Sequence, residues 1–210
     1  MTPRRLWLRG AAAMLAAPWI VRAAPLPPMT EGPFYPSRAW RAAREDWDAD
    51  LTQVRERGAV HTARGEHLAL GLRLADARGR AIDGAEVEIW QCDAQGQYRH
   101  PRERQGGAGV DPGFQGFGAA RTDGQGQVAF RTIRPVPYTG RTPHIHVRVR
   151  HPSLGEVTSQ LFVANDPGNE RDFLWRQLDA AERSATAMTL ERAPGDGLAW
   201  RALHRLEMPG

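Results

Sequence analysis

The chain has 210 residues, enough for one domain with a substantial core, and a formal charge of +4. Arg4, Arg5, Arg9 and Arg22 account for that excess, so the rest of the chain is close to neutral and a general polyanion-binding role, nucleic acid included, loses its support. The single cysteine, Cys92, excludes an intramolecular disulfide and any Cys-x-x-Cys zinc site.

In chain order, the basic stretch Thr2 to Arg9 precedes a small, apolar run from Gly10 to Val21, and Arg22-Ala23-Ala24-Pro25 follows. The run is too short to span a bilayer as a permanent helix, so residues 1–24 read as an export signal cleaved near Ala23 or Ala24. The Arg4-Arg5 pair marks it as twin-arginine-type. The expected mature protein is periplasmic or secreted, with no stable membrane association. Such a route carries folded proteins and allows a metal to be loaded before export. Residues 25–60 read as an arm with one short helical piece around Trp40 to Trp47, draped over the core or a neighbouring subunit. Residues 61–210 form the expected domain.

Leu68, Leu70, Leu72 and Leu74 alternate with Ala69, Gly71 and Arg73, which predicts a half-buried strand. Ala85 to Trp90 alternates again after the turn residues Asp83-Gly84, so the two strands read as an antiparallel pair. Residues 93–118 form a long loop rich in Gly, Gln, Arg and Pro, of a kind that is usually functional. Ala119 to Thr122 and Gln127 to Thr132 flank Asp123-Gly124-Gln125-Gly126 as a second hairpin, and His144 to Arg150 with Val157 to Ala164 form a third. Helical spacing of Phe173, Leu174, Leu178 and Ala181 predicts one helix over Glu170 to Arg183, with closing strands over 186–192 and 198–207. The expected class is all-β: an antiparallel β-sandwich with long active-site loops, an N-terminal arm and one short C-terminal helix.

His144 and His146 stand at alternate positions of one predicted strand, so both imidazoles project from the same face and can share a metal. Tyr138 lies in the Pro-rich turn before them, and Tyr98 follows the strand ending at Trp90; Tyr35 is the one other tyrosine. A phenol with a pKa near 10 becomes phenolate at neutral pH only beside a strongly charged, hard cation. Phenolate with imidazole suits Fe(III) better than softer or divalent metals. Each tyrosine taken alone serves equally well as an amphipathic packing residue, so spacing leaves both readings open.

Longer segments add to this. Thr30-Glu31-Gly32-Pro33-Phe34-Tyr35, Gly84 to Gln91 running on to Gly96-Gln97-Tyr98-Arg99-His100, and Asp111-Pro112-Gly113-Phe114 are followed by Thr122-Asp123-Gly124, Phe130 to Pro135, Arg141-Thr142-Pro143-His144-Ile145-His146 and Ser159-Gln160-Leu161-Phe162. In this order the chain resembles the intradiol ring-cleavage dioxygenases, nearest to the metal-bearing β chain of protocatechuate 3,4-dioxygenase. The resemblance implies one Fe(III) per chain held by Tyr98, Tyr138, His144 and His146, with Tyr98 and His144 equatorial and Tyr138 and His146 axial. It implies as partners a catechol-type substrate and O2, with ring opening between the two hydroxyls to a cis,cis-muconate-type diacid. Tyr138 would leave the metal as substrate arrives and take up its proton. Arg141 would steady negative charge on the ring, and Gln160 would hydrogen-bond beside the metal.

A homo-oligomer is a possible assembly. The link Thr139-Gly140 is shorter than in the protocatechuate enzyme and lacks its aromatic residue, so part of one pocket wall differs. Arg99, Arg102 and Arg104 could meet a substrate carboxylate, although arginines in a polar loop are usually just solvated. The alternative is a non-catalytic, transthyretin-like binding module, which Gly84-Ala85-Glu86-Val87 and Thr122-Asp123-Gly124-Gln125-Gly126 also resemble; such a module has no need for two tyrosines and two histidines at these places.

Overall fold

The structure is a computed structural model that describes residues 24–37, 41–42, 46–100, 109–193 and 197–209. Residues 1–23 of the expected export signal, half of the helical piece from Trp40 to Trp47 and the residues Arg102 and Arg104 lie outside them.

Two sheets face each other across one apolar core. The first has the order β10-β11-β3-β6, from β3 (His67–Ala75), β6 (Gln127–Ile133), β10 (Glu191–Arg192) and β11 (Trp200–Glu207). The second has the order β5-β4-β7-β8-β9, from β4 (Glu86–Trp90), β5 (Phe117–Arg121), β7 (His144–His151), β8 (Gly155–Val163) and β9 (Ala187–Met188). A hairpin of β1 (Gln53–Glu56) and β2 (Ala59–Thr62) stands apart, within and just beyond the stretch expected to be an arm. The alternation read from the sequence is what builds the core. Leu68, Leu70, Leu72 and Leu74 of β3 are buried with Phe130 and Leu206, and opposite them lie Val87, Ile89, Ile145, Val147, Val149 and Leu161.

The all-β sandwich agrees with expectation, while three details of pairing differ. The strands expected to pair across Asp83-Gly84 belong to different sheets: β3 pairs with β6 and β11, and β4 with β5 and β7. The strands flanking Asp123 to Gly126 likewise part, β5 into one sheet and β6 into the other. The Asp and Gly residues there reverse the chain without pairing its two arms, so these links cross between layers. The sandwich is also not purely antiparallel, because β11 runs parallel to β3 and β9 parallel to β8. The hairpin of β7 and β8 forms as expected.

The helix expected over Glu170 to Arg183 is broken into 3-10 turns at Asn169–Arg171 and Trp175–Gln177, followed by α1 (Ala180–Thr186). Asp172 ends the first turn in extended backbone and its side chain captures the next amides. That local bonding competes with a continuous helix. A reciprocal capping box, Asp179 with Glu182, then starts α1.

Period-two alternation puts Ile145, Val147 and Val149 of β7 into the core and His144, His146 and Arg148 on the other face of the sheet. These three are nonetheless buried, because the segment around 29–35 and the loop after β4 cover that face. Met29 N–H donates to the Thr158 carbonyl, Glu31 pairs with Arg148, and the Tyr35 hydroxyl donates to Glu88 at 2.8 Å. A second apolar cluster forms under this cover from Trp90, Cys92, Tyr98 and Phe117, with Phe34, Tyr35 and Tyr138 packed on it.

Candidate metal centre

The two histidines meet on the covered face as their spacing requires, with Nε2 of His144 and Nε2 of His146 3.3 Å apart. His144 Nδ1 lies 2.7 Å from the Thr142 carbonyl oxygen, which can only accept, so Nδ1 carries the proton and the Nε2 lone pair faces inward. Burial pushes the pKa of His144 down to about 4 and that of His146 well below the usual range, so both rings are neutral at pH 7. The His146 ring stacks on Trp90 with centroids 4.7 Å apart, and its Nδ1 is buried without a hydrogen bond among the described residues.

Both tyrosines close on this pair. Tyr98 is buried, with ring centroids 5.5 Å from Tyr138 and 6.2 Å from His146, and Tyr138 lies 5.5 Å from His144. The loop that carries Tyr98 is built on Asp93, whose Oδ1 accepts the N–H groups of Gln95 and Gln97. Its glycine, Gly96, takes φ +77°, and a Cβ there would sit 3.2 Å from the Tyr138 Cβ. Phe34 stacks on the other side of Tyr98 at 4.5 Å. The Tyr98 hydroxyl is buried with no hydrogen bond of ordinary geometry among the described residues, and burial followed by the nearby Tyr138 pushes its pKa well up. Burial also raises the pKa of Tyr138, though Arg141 works against it.

This arrangement fits a metal ion. A buried phenol without an ordinary hydrogen bond costs free energy unless something fills its lone pairs, and a cation would reverse the sign of its pKa shift. Among the described residues no three His, Cys, Asp or Glu side chains converge, and the oxygen-bearing rings beside the two histidines are those of Tyr98 and Tyr138.

Arg141 and Gln160, expected beside the site, are there. Gln160 on β8 is paired in register with His146, its Oε1 accepts from Arg141 Nη2 at 2.5 Å, and its Nε2 donates to the Thr30 carbonyl at 3.4 Å. Arg141 Nη1 approaches the Tyr138 hydroxyl at 3.5 Å, and Nε donates to Asp172 at 2.8 Å. A cleft of about 390 Å³, lined by Tyr138, Gly140, Arg141, Pro143 and Asp172 among others, opens this side of the site to solvent. Arg99 donates from Nη1 to the Phe114 carbonyl and so braces the loop.

Sequence reasoning missed Asp172, hidden inside an expected helix, and the stacking role of Trp90. The pairing of Trp90 with His146 across β4 and β7 becomes visible only once the register is known.

A protein-family model described as Dioxygenase matches residues 31–193. The chain is 29% identical over 125 residues to a catechol 1,2-dioxygenase of Candida albicans, an alignment covering 51% of this chain and 40% of that protein. It is 32% identical over 111 residues to a protocatechuate 3,4-dioxygenase beta chain of Burkholderia cepacia, covering 49% of this chain and 47% of that one. The chain thus spans less than half the length of these two relatives. Among solved structures, an intradiol ring-cleavage dioxygenase from Tetranychus urticae superimposes with a TM-score of 0.66 at 22% identity, covering 89% of this chain and 95% of that one. The dioxygenase domain of a carbohydrate-binding fusion protein from Streptomyces gives 0.62 at 24% identity, covering 88% and 98%. At these identities the likeness speaks for the fold.

Proposed function

The chain belongs to the intradiol dioxygenase family, and on that premise we propose that it is a non-haem Fe(III) enzyme that opens a catechol-type ring between its two hydroxyls. Both atoms of O2 enter the product, a cis,cis-muconate-type diacid, and nothing else is released. The observation that carries this reading is the pair of facing, neutral Nε2 atoms 3.3 Å apart with the two tyrosine rings closed around them. Tyr98, Tyr138, His144 and His146 would hold the ion. The chemistry a bound ferric ion supplies is Lewis-acid activation of both catechol oxygens and an acceptor for electron density from the ring.

The side chains divide the remaining work. Tyr98, His144 and His146 are buried and fixed by stacking and by the Thr142 carbonyl, so they stay in place. Tyr138 is half-buried on the cleft side, and, held as phenolate by the ion, it would take a proton from an arriving catechol. Arg141, a permanent cation at the same edge, stabilises negative charge developing on the ring. A non-catalytic binding module gives no account of this set. The proposal also places the mature protein in the periplasm or outside the cell; Arg4→Lys with Arg5→Lys should trap it in the cytoplasm, and unaltered export would remove the twin-arginine assignment.

Protein loaded with ferric iron should be red from phenolate-to-metal charge transfer, shift its band on adding catechol, and consume O2 with formation of a diacid. Colourless protein that retains no iron, or Tyr98→Phe and Tyr138→Phe variants indistinguishable from wild type, would overturn the reading.

A further inference from the structure

Asp172 is not one of the four proposed ligands, yet it is buried, with 1% of its surface exposed, at the edge of the cleft beside the site. A buried carboxylate is tolerated when donors fill its lone pairs, and four do so here. Oδ1 accepts the backbone N–H groups of Leu174 at 2.9 Å and Trp175 at 3.2 Å, which fix the carboxylate in its turn. Oδ2 accepts Arg141 Nε–H at 2.8 Å and the Thr142 N–H at 3.0 Å, which tie that turn to the strand entering the site. Burial alone would raise the Asp172 pKa, but the Arg141 guanidinium and these amides outweigh it, so the group remains a carboxylate.

The consequence falls on Arg141. With Nε committed to Asp172, the planar guanidinium can no longer swing, and its two Nη ends point to the Gln160 Oε1 and the Tyr138 hydroxyl. Thr142, whose amide Asp172 holds, in turn accepts the His144 Nδ1 proton on its carbonyl.

We propose that Asp172 is a positioning residue that acts on ring opening through Arg141, holding the guanidinium at the substrate edge of the site. This rests on the dioxygenase reading. A brace that merely stabilised the 3-10 turn would leave turnover alone once the protein had folded. The test compares iron-loaded wild type, Asp172→Asn, Arg141→Gln and the double variant. Asn keeps the size and one acceptor oxygen but removes the charge that Arg141 Nε meets. Asp172→Asn should lower kcat on the order of tenfold to a hundredfold with KM and the visible band little changed. The double variant should be no slower than Arg141→Gln alone, since both changes remove one device.

A readout without iron accompanies the kinetics: the Arg141 Nε–H, identified by its loss in Arg141→Gln, should be protected from hydrogen exchange in wild type and exposed in Asp172→Asn. Wild-type kcat in Asp172→Asn, losses that multiply in the double variant, or an equally protected Nε–H would overturn the proposal. Should Asp172→Asn fail to fold, Asp172→Glu, which displaces the carboxylate by one methylene, takes its place with the same expectations. If wild type opens no ring, the functional reading fails, and the exchange measurement still decides whether Asp172 holds Arg141.

Discussion

In the proposed site, function and stability make opposite demands on Tyr98. Its ring is well packed, stacked on Phe34 and set edge-on to Tyr138, but its hydroxyl is buried without an ordinary hydrogen bond among the described residues. In a protein selected for stability alone phenylalanine would serve better, because an unsatisfied buried hydroxyl costs about 1–3 kcal/mol. Tyr98→Phe should therefore leave the metal-free protein as stable as wild type or about 1 kcal/mol more stable by urea unfolding, while retained iron and the red band fall. A clear loss of metal-free stability would mean that the hydroxyl has a structural partner. That these four side chains would lie together was legible because their chemistry is unusual in itself: two histidines one strand-repeat apart and two of three tyrosines beside them. Asp172 was illegible for the opposite reason. An aspartate in a stretch with helical spacing looks like ordinary surface until the structure shows Arg141 and three backbone amides converging on it.

At the scale of elements, alternation located β3, β4, β7 and β8 well, and their partners only in part. Period two tells which face of a strand is apolar, and Asp-Gly tells where the chain reverses, but neither says whether the chain returns to the same sheet. In a sandwich both outcomes bury the same leucines, which is why the reading of β3 with β4 as a hairpin failed and that of β7 with β8 held. The hairpin of β1 and β2 was missed because β2 is exposed and most of β1 is too polar to show a core-facing period. The loop between β4 and β5 looked functional by length, and its working part is the tight turn at Asp93 to Gln97, which seats Tyr98 against Tyr138. Gly96→Ala tests that seat. A left-handed backbone costs a non-glycine residue about 1 kcal/mol or more, and the new methyl would press on the Tyr138 Cβ. The variant should fold, lose about 1–2 kcal/mol in urea unfolding, and shift or weaken the iron band. An unchanged band would show that Tyr138 does not depend on this contact.

Across the whole molecule, folding keeps three buried histidines neutral: His144 and His146 at the site, and His204 on β11, where burial lowers the pKa although a bond to the Ala185 carbonyl works against this. Their folded pKa values lie below the unfolded value near 6.5, so at mildly acid pH the unfolded chain binds more protons than the native one. Stability is therefore unaffected above about pH 6.5 and falls as the pH drops below it. For His144, with a folded value of about 4, the full effect is roughly 3 kcal/mol, approached only near that value. The carboxylates act in a different window. Asp172 is held below its usual 3.8, so the stability tied to its ionisation is lost only as the pH falls through that value and lower. Between pH 6.5 and 5 the histidines should dominate. The urea midpoint of the metal-free protein should fall across this interval, and His204→Gln should fall less steeply. Saturating iron should raise the midpoint and steepen the slope, since a cation that binds only the native state and displaces protons from its ligands adds a stability that shrinks as the pH falls. A midpoint independent of pH from 6.5 to 5 would mean that these histidines are accessible to protons in the folded protein. If His204→Gln removes the slope the whole effect belongs to β11, and a midpoint that iron fails to raise would take the metal away from His144 and His146.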